Sequence, residues 1–137
     1  MIDTSSPKWP HVEERLRTEV VLWLTTVRPD GQPQSSPVWF LWDGAAFLMY
    51  SMPSAGKVGN VRANPRVSVH LSDDGRGEDV ATFDATAEIT ADPVKEHDAA
   101  YVQKYRQLIA DLGYEVERFA RAYATGIRIV PTRARMW

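Results

Sequence analysis

The alternation of residues 80–90 constrains the fold of this chain more than any other feature of its sequence. Small or apolar side chains occupy every second position, and threonine or acidic side chains occupy the positions between them. The apolar set consists of Ala81, Phe83, Ala85, Ala87 and Ile89. A period of two places one set on a buried face and the other in water. We therefore predict a long strand with one solvated face, as is typical of antiparallel sheets.

Five further segments have the composition of strands. They cover residues 20–27, 34–42, 45–51 and 66–71, with a last strand at 125–130, followed by Pro131 and a tail. The first is β-branched and aromatic throughout, which predicts burial on both faces. Turn signals at 28–31 and at Asp43-Gly44 separate the first three strands and predict two consecutive hairpins, a meander. Six antiparallel strands joined mostly by hairpins predict a small β-barrel with added helices, an α+β fold.

Helical periodicity is found in three places. We predict a short helix at 10–18, a second over 54–64, and a helical insert over about 92–123 that begins at a favourable Asp-Pro cap. The first helix is expected to bury Trp9, Val12 and Leu16. The expected buried positions of the insert are Val94, Tyr101, Tyr105, Leu108 and Leu112, then Val116, Phe119, Ala120 and Tyr123. The length of 137 residues fits a single domain, residues 1–137.

Composition excludes several classes of protein. The chain has no cysteine, which excludes disulfides, thiolate catalysis and cysteine-ligated metals. Its net charge of −2 argues against general nucleic-acid binding. No apolar stretch reaches the roughly 20 residues that span a bilayer, and the first residues lack the pattern of a secretory signal. We therefore expect a cytoplasmic protein with no membrane span.

No constellation of catalytic or metal-ligating side chains stands out. The three histidines, His11, His70 and His97, are scattered along the chain, and no two histidines or carboxylates cluster at ligand spacing. The acidic loop at 73–79 does not have the spacing of an EF-hand. The sequence therefore predicts no metal site and no catalytic side chain.

Residues 51–60 have the composition of an anion site. They follow a predicted strand, open a short helix, and include Ser51, Ser54, Lys57 and Asn60. Helix N-terminal amides together with one lysine bind phosphate well. The segment is not a P-loop, because the first glycine and the hydroxyl residue of that motif are missing. A solvated turn with a surface lysine explains the same spacing equally well.

The second predicted strand contains two prolines, Pro33 and Pro37. Proline cannot donate to a ladder, so this strand must be an edge or carry a bulge. An edge leaves backbone groups free, and the mixture of small hydroxyls with large aromatics over 35–40 suits a planar, hydrogen-bonding ligand. For any single aromatic residue of this stretch, a place in the core is the better explanation.

The order of these motifs resembles the pyridoxamine 5′-phosphate oxidase-like superfamily, over roughly residues 10–90 and in the closing strand at 127–137. The similarity is carried by residues 24–27, the turn at 29–31, the stretch 33–40 and, most specifically, the Lys-x-x-Asn-x-x-x-Asn-Pro pattern within 57–67. Within the superfamily, the chain is most similar to small flavin/deazaflavin oxidoreductases that use coenzyme F420. The resemblance implies a six-stranded split β-barrel of the FMN-binding type.

The resemblance also implies a set of cofactor-binding residues. Lys57 and Asn60 would lie at the phosphate end of the cofactor, with Ser51 and Met52 on the strand leading to it. Arg62, and with it Arg66, would face the anionic tail. The residues beside the tricyclic ring would be Ser36, Pro37, Val38 and Trp39.

The implied function is hydride transfer from reduced coenzyme F420 to a small, electron-poor organic substrate, in a homodimer with the cofactor at the subunit interface. True pyridoxamine-phosphate oxidases carry a richer basic motif than the single Lys57 of this chain, which favours the deazaflavin over FMN. An FMN-dependent oxidoreductase remains an alternative. A non-catalytic protein that binds flavin, deazaflavin or haem is another, since the fold alone does not separate carriers from enzymes.

Overall fold

A computed structural model describes residues 2–90 and 99–137 of the chain. The described residues form four helices and seven strands. In chain order these are α1 (Trp9–Thr18), β1 (Val21–Val27), β2 (Pro33–Trp39), β3 (Leu41–Trp42), β4 (Phe47–Ser51), α2 (Gly56–Ala63), β5 (Arg66–His70), β6 (Ala81–Thr90), α3 (Ala99–Asp111), α4 (Val116–Ala122) and β7 (Thr125–Met136). The predicted α+β class is confirmed. No helix in these two ranges is long and apolar enough to cross a membrane.

All seven strands belong to one antiparallel sheet. Their spatial order is β2-β1-β5-β6-β7-β4-β3. The two strands at the ends of this order, β2 and β3, are separated in sequence by Phe40 alone. The sheet must therefore curl until its two edges come close, which gives a half-barrel rather than a flat layer. The position of β2 at one end confirms the edge that its two prolines predict.

The predicted strand over 34–42 is two strands, which corrects the expected count from six to seven. Residues 33–39 pair with β1, from Val27↔Pro33 to Val21↔Trp39. Residues 41–42 pair instead with β4. The first half of the segment thus pairs with β1 and the second half with β4. The expected meander is interrupted at Phe40, between the two halves.

Helix α3 supplies the hydrogen-bond partners that the sheet lacks at Phe40. The N–H of Phe40 donates to the Tyr105 hydroxyl at 2.7 Å. That hydroxyl lies 2.9 Å from the Phe40 carbonyl and 2.7 Å from the Val20 carbonyl. Lys104 Nζ also donates to the Phe40 carbonyl at 2.8 Å, and desolvation lowers the Lys104 pKa to about 8. The insert therefore satisfies buried backbone groups at the point where the half-barrel closes.

The inner face of the sheet holds the main core. Helix α1 packs into it through Trp9, Val12 and Leu16, as its periodicity predicts. The rings of Trp9 and Trp42 meet edge to face at 6.1 Å, and the Trp42 indole N–H donates to Glu13 at 3.1 Å. These contacts fix α1 against the β3 end of the sheet.

Strand β7 continues well beyond the predicted end at residue 130. It runs through Pro131 to Met136, with Pro131 opposite Ala85 and Arg133 opposite Asp84, so the register shifts at the residue directly after the proline. Arg135 binds the Asp84 carboxylate through two nitrogens, at 2.8 and 3.1 Å. The segment after Pro131 is therefore part of the sheet and not a tail.

The insert is helical, as predicted, but its buried stripe is partly different. Tyr101 and Tyr105 are buried, Leu108 is half-buried, and Leu112 is 57% exposed. Helix α3 ends at Asp111, so Leu112 no longer follows the helical phase. Positions missed by the prediction are Val102 and Ile109. The predicted Asp-Pro cap and Val94 lie outside the described residues.

Candidate functional site

A pocket of about 250 Å³ lies where the edge strand, the start of α2 and the helical insert meet. Strand β2 contributes one wall, the end of β4 contributes the floor, and α3, α4 and the residues beside them close the far side. The lining residues are Pro37, Val38, Trp39, Tyr50, Ser51, Lys57, Tyr101, Leu112, Phe119 and Tyr123.

The insert gives the pocket an aromatic wall. The Trp39 ring stacks on Tyr105 with centroids 4.7 Å apart and an interplanar angle of 5°. It also packs on Phe119 at 5.8 Å, and Phe119 stacks on Tyr123 at 4.5 Å. Tyr50 and Tyr101 meet edge to face at 4.8 Å. Such a wall suits a flat, conjugated ring system.

Lys57 is the cation of the pocket. It lies in the first turn of α2, directly after Gly56, and is half-buried. Desolvation lowers the pKa of its ammonium below the usual range. It has no carboxylate partner among residues 2–90 and 99–137. A desolvated ammonium without an ion pair favours an incoming anion, since the anion would compensate the cost of burial.

Five of the sequence-predicted cofactor residues line this pocket. They are Pro37, Val38, Trp39, Ser51 and Lys57. The two segments that the sequence singled out separately, one on the edge strand and one before α2, therefore converge in space.

The other four predicted residues lie near the pocket without lining it. Ser36 pairs with Leu24 on β1, so its side chain is on the opposite face of β2 from those of Pro37 and Trp39. Met52 is 38% exposed, and Arg62 is exposed on α2. Asn60 is buried and donates to Thr26 and Gln34. Their part in cofactor binding stays a prediction.

Half of the lining residues were not identified from the sequence. These are Tyr50, Tyr101, Leu112, Phe119 and Tyr123. The available signal was the density of aromatic residues in the insert. It was assigned to ordinary core packing, because helical periodicity does not reveal which element a buried stripe meets.

The described histidines lie elsewhere. His11 is exposed and pairs with Asp79 at 2.9 Å. His70 stacks on Trp23 at 6.3 Å, with an interplanar angle of 9°. In the part of the chain that the structure describes, no group of three or more His, Cys, Asp or Glu side chains is placed to hold a metal ion. His97 lies outside that part.

Comparison with known families agrees with this architecture. The family model described as pyridoxamine 5′-phosphate oxidase matches residues 9–137, which is nearly the whole chain. The chain belongs to this family. The resemblance carried by the Lys57 motif is thus confirmed at the level of the family, and the matched region includes every residue that lines the pocket.

Three solved structures with a similar fold are proteins of different kinds. An F420 reductase is 28% identical, with a TM-score of 0.73, and the match covers 90% of this chain and 94% of that one. The heme storage protein HutZ from Vibrio cholerae is 20% identical, with a TM-score of 0.66 and coverage of 93% and 92%. An FAD-binding protein from Mesorhizobium loti is 22% identical, with a TM-score of 0.63 and coverage of 91% and 88%.

The similarities to the heme storage protein and to the FAD-binding protein support the split-barrel fold and say nothing about the ligand of this chain. A search among curated proteins finds no match to this family member.

Proposed function

We propose that this family member is an oxidoreductase that uses coenzyme F420 to transfer a hydride to a small, electron-poor organic substrate. The observation that carries the proposal is the half-buried ammonium of Lys57, which has no ion pair within residues 2–90 and 99–137, beside an aromatic wall. A planar cofactor with an anionic group matches both features at once. The 28% identity to an F420 reductase over nearly the whole chain favours the deazaflavin.

The pocket suits part of the cofactor. Ligand sites commonly enclose roughly 300–1,000 Å³, and this pocket encloses about 250 Å³. It therefore fits a ring system and an adjoining polar group better than a whole long-tailed molecule. We assign the ring to the wall at Pro37, Val38 and Trp39, and the phosphate to Lys57. The exposed Arg62 is the candidate for the anionic tail.

Coenzyme F420 supplies the hydride from its C5 carbon when it is bound in reduced form. The chain's own residues bind, orient and exclude water. Among the described lining residues, Lys57 is the basic side chain. Burial and the neighbouring Tyr50, Tyr105 and Tyr123 raise the pKa of Tyr101, so it stays protonated. No side chain is assigned as a catalytic acid or base.

Turnover tests this proposal directly. Reduced F420 mixed with quinones or enones should be oxidised much faster in the presence of the protein than without it. Reduced FMN under the same conditions serves as the matched comparison. Binding of F420 with no acceleration for any acceptor would make the protein a cofactor carrier and would contradict an enzymatic role.

We further propose that the working unit is a homodimer. Burial along β1 alternates, with one face fully buried and the other only half-buried. The half-buried face carries Trp23, stacked on His70, and Val20, directly before β1, is 45% exposed. A second copy would cover these apolar groups. Sedimentation at micromolar concentration should give twice the mass of the chain, and a stable species of 15.5 kDa would contradict the dimer.

A further inference from the structure

The side-chain amide of Asn60 is held by two strands of the half-barrel. Its Nδ2 donates to Thr26 Oγ1 at 3.0 Å and to Gln34 Oε1 at 3.1 Å. Thr26 and Gln34 are direct partners across β1 and β2. Asn60 is 6% exposed and Thr26 is 2% exposed. The amide therefore ties α2 to a single rung of the β1–β2 ladder.

These two bonds use the whole donor capacity of Asn60. An asparagine amide has two N–H hydrogens, and one is committed to each partner. The remaining polar atom, Oδ1, is an acceptor and would repel a phosphate. Asn60 therefore cannot donate to an anionic cofactor without giving up a bond to Thr26 or Gln34, and a lost buried hydrogen bond is costly.

Lys57 lies one turn before Asn60 on the same helix. Residues three apart are neighbours on a helix surface, so the rung that fixes Asn60 also fixes the direction in which Lys57 projects. Gln34 and the pocket residue Pro37 lie three positions apart on β2. The anchor and the pocket thus share the same strand and the same helix.

We propose that Asn60 is a positioning residue, which holds Lys57 at the pocket through Thr26 and Gln34 and does not itself bind the cofactor. This rests on the proposed function in so far as the anion is the phosphate of F420. The geometry that it invokes, a tethered helix carrying a half-buried lysine, exists without any ligand.

Removing the anchors while leaving Asn60 in place tests the proposal. Thr26→Val deletes one acceptor with almost no change in shape, and Gln34→Ala deletes the other at an exposed position. In each variant the F420 dissociation constant should rise roughly three- to ten-fold, which is about one hydrogen bond's net contribution. The pKa of Lys57, measured by NMR of ¹³C-methylated lysines and assigned with Lys57→Arg, should move up toward that of a solvated lysine.

A matched control exists one residue along β1. Thr25 shares a hydrogen bond of 2.6 Å with Ser35 on the opposite face of the same two strands. Thr25→Val removes that bond and should change neither the F420 affinity nor the Lys57 titration. If this control raised the F420 dissociation constant as much as Thr26→Val does, the effect would be a general loosening of the strands. That result would overturn the proposal.

A double-mutant cycle separates positioning from direct binding. If Asn60 acts through Lys57, then Asn60→Ala, or Thr26→Val where the alanine variant does not fold, weakens F420 binding no further once Lys57→Ala is present. Additive losses would show a direct contact and overturn the proposal.

The lysine titration needs no cofactor. If F420 fails to bind the wild-type protein, the proposed function fails and the titration still decides the role of Asn60. An unchanged Lys57 pKa in both Thr26→Val and Gln34→Ala contradicts that role, whatever the affinities.

Discussion

Replacing Tyr105 with phenylalanine should lower the free energy of unfolding by about 2 kcal/mol, because it leaves the buried N–H of Phe40 without a partner and removes the hydroxyl's bonds to the Phe40 and Val20 carbonyls. The ring remains, so its stacking on Trp39 is kept and only the hydroxyl is lost. For a chain of this size, the melting temperature should fall by on the order of 10 °C. Chemical denaturation monitored by tryptophan fluorescence measures the change.

Tyr114→Phe is the matched control for that variant. Its ring packs on Phe119 and Tyr123, and its hydroxyl has no hydrogen-bond partner in the ranges 2–90 and 99–137. The control should change stability by less than about 0.5 kcal/mol. Equal effects of the two substitutions would mean that the Tyr105 hydroxyl does not support the closure of the half-barrel.

Lys57→Ala should raise the dissociation constant for F420 ten-fold or more, since a charge-assisted hydrogen bond contributes about 1.5–3 kcal/mol. The same substitution should leave the melting temperature unchanged or slightly higher. Burying the Lys57 ammonium costs desolvation free energy, and no ion pair in the described part of the chain offsets that cost. Removing the ammonium therefore does not destabilise the fold. Fluorescence titration and thermal melts on one preparation measure both effects.

Lys8→Ala controls for the loss of one positive charge, because Lys8 is exposed and is not among the residues that line the pocket. It should bind F420 as the wild type does. An unchanged affinity in Lys57→Ala would show that the lysine is a surface residue, which is the alternative that its spacing in the sequence left open.

The sequence predicted most of the individual elements, because each follows from local periodicity. The strand over 80–90 and the helix of Trp9, Val12 and Leu16 were found at nearly their observed bounds. The break at Phe40 was not predictable in this way. The hydrogen-bond partner that replaces the sheet there is Tyr105, 65 residues away, and no local pattern reports such a contact.

The local pattern did not predict the extension of β7, for a related reason, and the resemblance alone implied a closing strand at 127–137. Proline normally ends a ladder, and Pro131 was interpreted accordingly. The register shifts at the residue directly after it, opposite Asp84 and Ala85. A bulge is a property of two paired strands, so one strand's sequence does not reveal it.

The candidate site was predictable where a residue's chemistry is unusual for its element. Pro37 stood out because proline is unusual in a strand. Lys57 stood out because it is a lysine at the start of a short helix of small and polar residues. The motif drew attention to Asn60, whose part in cofactor binding stays a prediction, but its hydrogen-bond partners Thr26 and Gln34 depend on strand pairing. The aromatic wall of the insert could not be placed, since its position depends on how α3 and α4 dock on Trp39.

Parallel titrations of the purified protein with coenzyme F420 and with FMN, at matched ionic strength, test the central claim most directly. The pocket combines an aromatic wall with one lysine that has no ion pair in the described part of the chain, and the family member is similar to an F420 reductase. It should therefore bind F420 more tightly than FMN. Both affinities should fall in Lys57→Ala, because each cofactor carries a phosphate that this lysine would contact. Binding of FMN at least as tight as that of F420, or purification of the protein with FMN bound, would contradict the assignment.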